Sequence, residues 1–296
     1  MNKTMPKFIM LCGLPASGKT TYAEELQSRI KNSVVFSSDA IRKELYGDEN
    51  IQGDANEVFN LMNNRVVQSL NNGYTVIYDA TNITRKSRAA IISMCPKFVK
   101  IECHIIWTPI QHCIMRDKDR KRTVGEKVID RMVRRFQAPF YDEGFDEIEI
   151  IRPDGVNLAI YTSKVIDDLK IPHDNSHHTL DINLHCHEAH NYINNKLGLP
   201  KGEYELPFAA LIHDIGKPYT KDFHDAQGNP TPEAHFYQHQ CVGAWMSYGF
   251  TITTPYVAWL ISTHMDMFLH TKYYKNLPNC LKEELDLLHE ADLNAH

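Results

Sequence analysis

The run Gly13-Leu14-Pro15-Ala16-Ser17-Gly18-Lys19-Thr20 fits G-x-x-x-x-G-K-[ST] at every fixed position. Such a loop cradles polyphosphate. Gly13, Ser17 and Gly18 offer backbone N–H groups, and the helix that follows adds its positive N-terminal end. Lys19 adds a point charge between β- and γ-phosphates, and the Thr20 hydroxyl can ligate Mg²⁺. The competing reading is a chance glycine-rich turn, which the apolar strand before the loop and the helical stretch after it disfavour. Further on, Asp39 follows Ser37-Ser38, and Arg42 stands three residues later. A carboxylate there can take a proton from an acceptor hydroxyl. On a helix starting at Asp39, Arg42 shares its face and could hold an anionic acceptor. Asp39 could equally do no more than cap that helix. Asp79 ends another apolar run and could organise the water around Mg²⁺ or only the loop. Arg116 and Arg120, four apart, share a helix face and could close over a γ-phosphate. A solvated basic face is the alternative for them, and more so for Arg122, Lys127, Arg131, Arg134 and Arg135.

The second half carries different chemistry. Of sixteen histidines, all but His104 and His112 fall at or beyond His173. Imidazole is a common ligand for borderline transition metals. The sharpest element is His213-Asp214-Ile215-Gly216-Lys217, closing the apolar run that starts at Phe208. On a helix these neighbours diverge by about 100°, so they can share a metal only in a groove beside it. Lys217, four residues from His213, can face that groove and hold a phosphate. A buried His–Asp pair ending a helix at Gly216 is the bland alternative. His185, His239, His264 and Asp292 each fall inside an amphipathic helical stretch and favour the metal. Mixed histidine and carboxylate ligands suit Mn²⁺, Ni²⁺, Co²⁺, Fe or Zn²⁺, and two ions fit the ligand count. Such a site makes water acidic and clamps a phosphate.

The elements that must position these residues are legible in outline. Strands are expected at Phe8–Cys12, Val34–Phe36, Thr75–Tyr78, Ile101–Trp107 and Ile148–Ile151, with helices at about 19–30, 39–45 and 56–70. That alternation argues for an α/β domain with a central parallel sheet. Residues 167–176 carry a proline, an Asp-Asn-Ser run and no apolar period, and read as the domain boundary, giving domains 1–168 and 173–296. Beyond it an all-α helical bundle is expected, with helices near 184–197, 206–216, 233–248, 255–265 and 280–295 and an irregular loop over 217–232.

Gly13–Thr20, Asp39-x-x-Arg42, Asp79-Ala80-Thr81-Asn82 and Arg116-x-x-x-Arg120 occur in order at matching spacing. Together they resemble the kinase domain of phage-type 5′-OH polynucleotide kinases, over about residues 5–152. The resemblance implies that Lys19 and the loop bind ATP or another nucleoside triphosphate with Mg²⁺. It implies that Asp39 is the general base on the 5′-hydroxyl, that Arg42 binds a phosphate of the acceptor strand, and that Arg116 and Arg120 form the lid over ATP. Related small-molecule kinases share most of these motifs. The order His185, His213-Asp214, His239, His264, Asp292 resembles the HD phosphohydrolase superfamily. His178 with His185, the His213–Pro218 core, His235-Phe236-Tyr237-Gln238-His239 and Glu290-Ala291-Asp292 look like the HD domain of bacterial tRNA nucleotidyltransferases, over about residues 176–296. That resemblance implies transition-metal-dependent action on 2′,3′-cyclic phosphate and 2′-phosphate ends. Cys186 stands where that subgroup has Thr, and with the chain stopping four residues after Asp292 a shortened last helix is expected.

The two resemblances together imply an RNA repair enzyme that heals both ends left by transesterification, 5′-OH and 2′,3′-cyclic phosphate, before an RNA ligase seals them. DNA 5′-OH ends are a further possible acceptor. The alternative is a small-molecule or nucleoside kinase fused to an HD nucleotide phosphohydrolase. A net charge of -5 gives no global basic footprint for nucleic acid, so binding must rest on local patches. Seven cysteines without a C-x-x-C pair speak against a disulfide framework and for a reducing cytoplasm. No apolar run reaches membrane-spanning length, so no membrane partner is expected.

Overall fold

A computed structural model describes residues 5–175, 179–198 and 205–295. His177, His178 and His296 lie outside the described residues. The chain divides into two compact units, Met1–Met132 with Pro139–Pro153, and Val133–Ala138 with Asp154–His296.

In the first unit the elements are β1 (Lys7–Cys12), α1 (Lys19–Arg29), β2 (Ser33–Ser37), α2 (Ser38–Tyr46), α3 (Ala55–Asn71), β3 (Thr75–Asp79), α4 (Arg85–Ile92), β4 (Lys100–Ile106), α5 (Ile110–Lys118), α6 (Glu126–Val133) and β5 (Glu147–Ile151). The sheet has five strands in the order β2-β3-β1-β4-β5. All neighbours run parallel. β1 and β3 are buried along almost their whole length. Near-continuous apolar strands of this kind need cover on both faces, which the helices supply. Leu11 and Ser37 both pair with Asp79, so the carboxyl ends of β1, β2 and β3 finish side by side. Ligands of open parallel sheets gather at that edge.

In the second unit α7 (Leu158–Asp168) and α8 (Ile182–Leu197) are followed by α9 (Glu205–Ile212), α10 (Lys217–Thr220), β6 (Asp222–His224), β7 (Pro230–His235), α11 (His239–Ser247), α12 (Pro255–Thr263), α13 (Asp266–Leu269), α14 (Thr271–Asn276) and α15 (Asn279–Asn294). α8 packs on α9 and α15, and α12 packs on α9 and α11. The starts are set by side-chain caps: Asp181 accepts from the Leu184 amide before α8, and Thr254 accepts from the Val257 amide before α12.

Five expectations change. The helix expected over 206–216 ends at Ile212, and His213–Gly216 form a turn. The loop expected over 217–232 holds α10 and the start of a hairpin, because β6 pairs antiparallel with β7. The helix expected over 233–248 starts only at His239, since Gln238 has a φ of 65° and cannot continue a right-handed turn. The segment read as a linker is partly built into the second unit: Pro172 bridges Asp181, and His173 is buried. The units also part at Pro153, ahead of the 168–173 boundary. The Tyr161 hydroxyl of α7 donates to the Met246 carbonyl at 3.2 Å, which ties that helix to the second unit.

Two candidate active sites

In the first unit the loop after β1 closes tightly. A Cβ on Gly13 would lie 2.7 Å from the Ile106 carbonyl oxygen, so only glycine fits there. Asn82 Nδ2 donates to the Leu11 carbonyl at 2.7 Å, and the Gly13 amide donates to the Thr81 carbonyl at 3.0 Å. The loop after β3 thus staples the phosphate loop in place. The Ser17 hydroxyl is buried without a hydrogen-bond partner. Lys19 is buried and donates to the Leu14 carbonyl at 2.7 Å. Burial pulls its amine below the usual lysine range, against the pull of Asp79. Thr20 Oγ1 donates to Asp79 Oδ2 at 2.9 Å. Burial raises Asp79 above the usual carboxylate range, with Lys19 and Thr20 holding it down.

Asp39 does not cap α2; Ser37 does, accepting from the Asp39 amide at 3.3 Å. The Asp39 carboxylate stays partly exposed and is shared between two arginines. Arg42 Nη1 lies 3.0 Å from Oδ1 and Arg122 Nη1 lies 2.6 Å from Oδ2. Arg116 Nη1 lies 3.4 Å from Thr108 Oγ1, which donates to the Ser17 carbonyl at 2.9 Å. Arg116 therefore borders the phosphate loop. Arg120 acts on the charges of both Lys19 and Asp79. The loop, two carboxylates and these arginines share one edge of the sheet. A polyphosphate fits the donors present: an orphaned buried hydroxyl, a lysine and the loop's backbone N–H groups.

In the second unit His185, His213, Asp214 and Asp292 form one group of metal-ligating atoms, and Asp214, His239 and His264 form another, with the atoms of each within 4.8 Å of one another. Asp214 belongs to both. Each imidazole is turned the same way. Nδ1 of His185, His213, His239 and His264 sits 2.7 to 2.9 Å from a backbone carbonyl, of Ala295, Ala210, Phe236 and Ile261. Those carbonyls require a hydrogen on Nδ1, so every Nε2 is aimed into the cluster. His239 Nε2 and His264 Nε2 face one another at 3.1 Å. Two acceptors at that distance repel unless a cation or shared proton lies between them. This donor set fits a transition metal.

The charges agree. Burial and the neighbouring positive charges push His264 down to about 3, and burial lowers His239. Burial also disfavours charge on His213, but the Asp214 carboxylate overrides it and holds that imidazole well above its ordinary range. Asp214 itself is held well below the carboxylate range, burial being outweighed by His213 and Lys217. Lys217 Nζ lies 2.6 Å from Asp214 Oδ2 and 3.2 Å from His173 Nε2.

All six expected ligands thus come together: His185, His213, Asp214, His239, His264 and Asp292. They arrive on α8, the turn after α9, α11, the end of α12 and α15. Lys217 reaches the cluster through Asp214. His187 and His270 are exposed, His224 pairs with Asp222, and His190 is occupied by Pro207 and Asn194. Sequence reasoning missed two partners. His173 was hidden in a stretch that reads as linker, with no periodicity to mark it. Arg122 sat in a basic run where nothing in its spacing joined it to Asp39.

Residues 8–139 match the AAA domain family, and residues 176–293 match the HD domain family. The first match spans a P-loop kinase-like domain and the second an HD domain. Protein KTI12 homolog of Xenopus laevis is 26% identical over 141 residues, 44% of this chain and 50% of that protein. Among solved structures, a chain of the Pnkp1/Rnl/Hen1 RNA repair complex is similar at 22% identity, covering 44% of each chain with a TM-score of 0.40. A fungal RNA kinase is similar at 16% identity, covering 57% of this chain and 88% of that one with a TM-score of 0.39. A gluconokinase from Sinorhizobium meliloti is similar at 14% identity, covering 51% and 85% with a TM-score of 0.38. The chain spans about half the length of the curated relative it matches. No helix among the described residues is long and apolar enough to cross a membrane.

Proposed function

We propose that this chain, a P-loop kinase-like domain followed by an HD domain, heals both ends of broken RNA. Its first unit would phosphorylate a 5′-hydroxyl from ATP, and its second would hydrolyse a 2′,3′-cyclic or terminal phosphate. The observation that carries the reading is the setting of Asp39. A partly exposed carboxylate beside the phosphate loop is flanked by two arginines, so it faces an acceptor that brings both a hydroxyl and a negative charge. A sugar hydroxyl lacking a neighbouring phosphate would leave that charge unanswered.

Lys19 and the loop amides would hold the β- and γ-phosphates, and Mg²⁺ bound beside Thr20 and Asp79 would neutralise charge on them. Asp39 would accept the hydroxyl proton, Arg42 would bind the acceptor's phosphate, and Arg116 and Arg120 would balance charge developing on the transferred group. In the HD domain, a transition metal held by the two ligand groups would supply Lewis acidity to a phosphate oxygen and lower the pKa of water. The carbonyls behind the four imidazoles keep each Nε2 aimed, and Lys217 keeps Asp214 ionised and in place.

The test is a short RNA with a 5′-OH and a 2′,3′-cyclic phosphate, incubated with protein, ATP, Mg²⁺ and Mn²⁺ or Ni²⁺, both termini read by mass. A phosphate gained at one end and a ring opened at the other is the expected result. Lys19→Ala should lower the 5′ gain by at least about a hundredfold and spare ring opening; His213→Ala should do the reverse. An untouched RNA, with phosphoryl transfer only to small hydroxyl compounds, would replace this reading with the small-molecule one.

A further inference from the structure

We infer that Arg122 is an acceptor-side specificity residue, delivered to Asp39 by the same short loop that carries the donor-side arginine Arg120; this rests on the kinase reading above. The loop is residues 119–125, between α5 and α6. It is pinned from behind by Asp117, whose buried carboxylate accepts from the Val124 amide at 3.0 Å and from the Gly125 amide at 2.8 Å. With its base held in this way, the loop carries two guanidinium groups. Arg120 acts on Lys19 and Asp79, the polyphosphate side. Arg122 reaches Asp39 at 2.6 Å, the hydroxyl side.

The charge balance around Asp39 points to the ligand. Arg42 and Arg122 together bring two positive charges against one carboxylate, and their side chains are only 12% and 15% exposed. Arg42 Nε is buried with no hydrogen-bond partner. One positive charge is therefore left over within reach of the acceptor hydroxyl. A phosphate one sugar away from that hydroxyl supplies one negative charge, and guanidinium groups bind phosphate through parallel N–H···O bonds. Arg122 thus joins Arg42 in separating a phosphate-bearing acceptor from a neutral one. Because it rides on the loop that carries Arg120, it also links acceptor recognition to the donor side.

The experiment compares adenosine 3′-monophosphate with adenosine as acceptors for phosphoryl transfer from ATP, and measures equilibrium binding of both. In Arg122→Ala the KM and the dissociation constant for adenosine 3′-monophosphate should rise about tenfold or more, the size of one charge-assisted hydrogen bond. The preference over adenosine should narrow by the same factor, while the KM for ATP moves little. Arg122→Lys should recover part of the preference through its charge. Asp117→Asn should raise the KM for both ATP and acceptor, because it frees the whole loop. An equal loss on both acceptors, a rise confined to ATP, or a wild-type protein that binds the two acceptors alike would overturn the assignment. Binding that depends on Arg122 without any phosphoryl transfer would uphold the assignment and sink the kinase reading instead.

Discussion

At the scale of single residues, the buried imidazoles make acid a specific threat. His173 is pushed down to about 4 by burial and by Lys217, and His264 to about 3. Both ordinarily titrate near 6.5. Between those limits the unfolded chain binds protons that the folded chain refuses, so stability rises with pH across that window and is lost as pH falls. His213 works the other way. Its raised value contributes stability fully below 6.5 and loses it at higher pH. Metal-free protein should therefore melt at steadily lower temperature from about pH 6.5 to pH 4, and His173→Gln should flatten that slope. Thermal melts after exhaustive chelation check this, and a melting temperature constant across the range would contradict it. The six residues that gather in the cluster could be picked out one by one from residue type and spacing. Their assignment to two groups sharing Asp214 was not legible, because it depends on which oxygen of one carboxylate faces which ring. His173 was illegible for the same reason. A histidine in a proline-containing, aperiodic stretch carries no sign of the lysine it will meet forty-four positions later.

At the scale of elements, Gly216 explains how His213-Asp214 meets His239. Its φ of -81° is open to any residue, so conformational freedom is not the reason for glycine. A Cβ there would lie 2.1 Å from the His239 carbonyl oxygen and 2.6 Å from the Gly243 amide nitrogen. The turn after α9 thus presses backbone to backbone against the start of α11. Gly216→Ala must push those elements apart, with an overpacking cost of about 1 to 3 kcal/mol. The displaced carbonyl side also carries the His239 end of the second ligand group. The variant should unfold at lower urea and bind fewer equivalents of Mn²⁺, read by urea melts and by metal analysis after gel filtration. Normal stability with normal metal content would show that the contact yields cheaply. The glycine was read from sequence as a helix end, and the true end lies four residues earlier, at Ile212. The hairpin was missed although its turn was written in the chain. Asp225 accepts from the Gln227 and Asn229 amides, and Gly228 takes a φ of +86°. By contrast the five strands of the first unit were legible to within one residue at each end, although α4, α5 and α6 were not given ranges. Strands buried on both faces leave apolar runs that no exposed element imitates.

At the scale of the whole molecule, the two compact units are not two consecutive stretches of chain. Val133–Ala138 belongs to the second unit although sheet residues of the first unit follow it. Within the second unit Phe136 is fully buried, its ring 5.2 Å from that of Trp245 and 6.1 Å from that of Tyr248. The Ala138 amide donates to Ser262 Oγ at 3.1 Å, and Arg134 Nη1 donates to the Tyr237 carbonyl at 3.1 Å. No composition shift marks this passage, because a six-residue excursion is shorter than any window that could register it. Its consequence is a stability dependence that a simple two-domain sequence reading would not suggest. Phe136→Ala should destabilise the HD unit by about 3 to 5 kcal/mol, the usual range for emptying a buried phenylalanine site, although the residue lies inside the stretch matched by the N-terminal family. A fragment beginning at residue 154 lacks Phe136 altogether and should show a loss of at least the same size. Urea unfolding followed by Trp245 emission, with Lys19-dependent nucleotide binding as a separate readout of the first unit, distinguishes the outcomes. A full-chain Phe136→Ala protein that loses HD stability and keeps nucleotide binding supports the excursion as part of the HD core. An HD transition unmoved by Phe136→Ala, or a fragment from residue 154 as stable as the intact protein, would mean that Val133–Ala138 merely lies against a core complete without it.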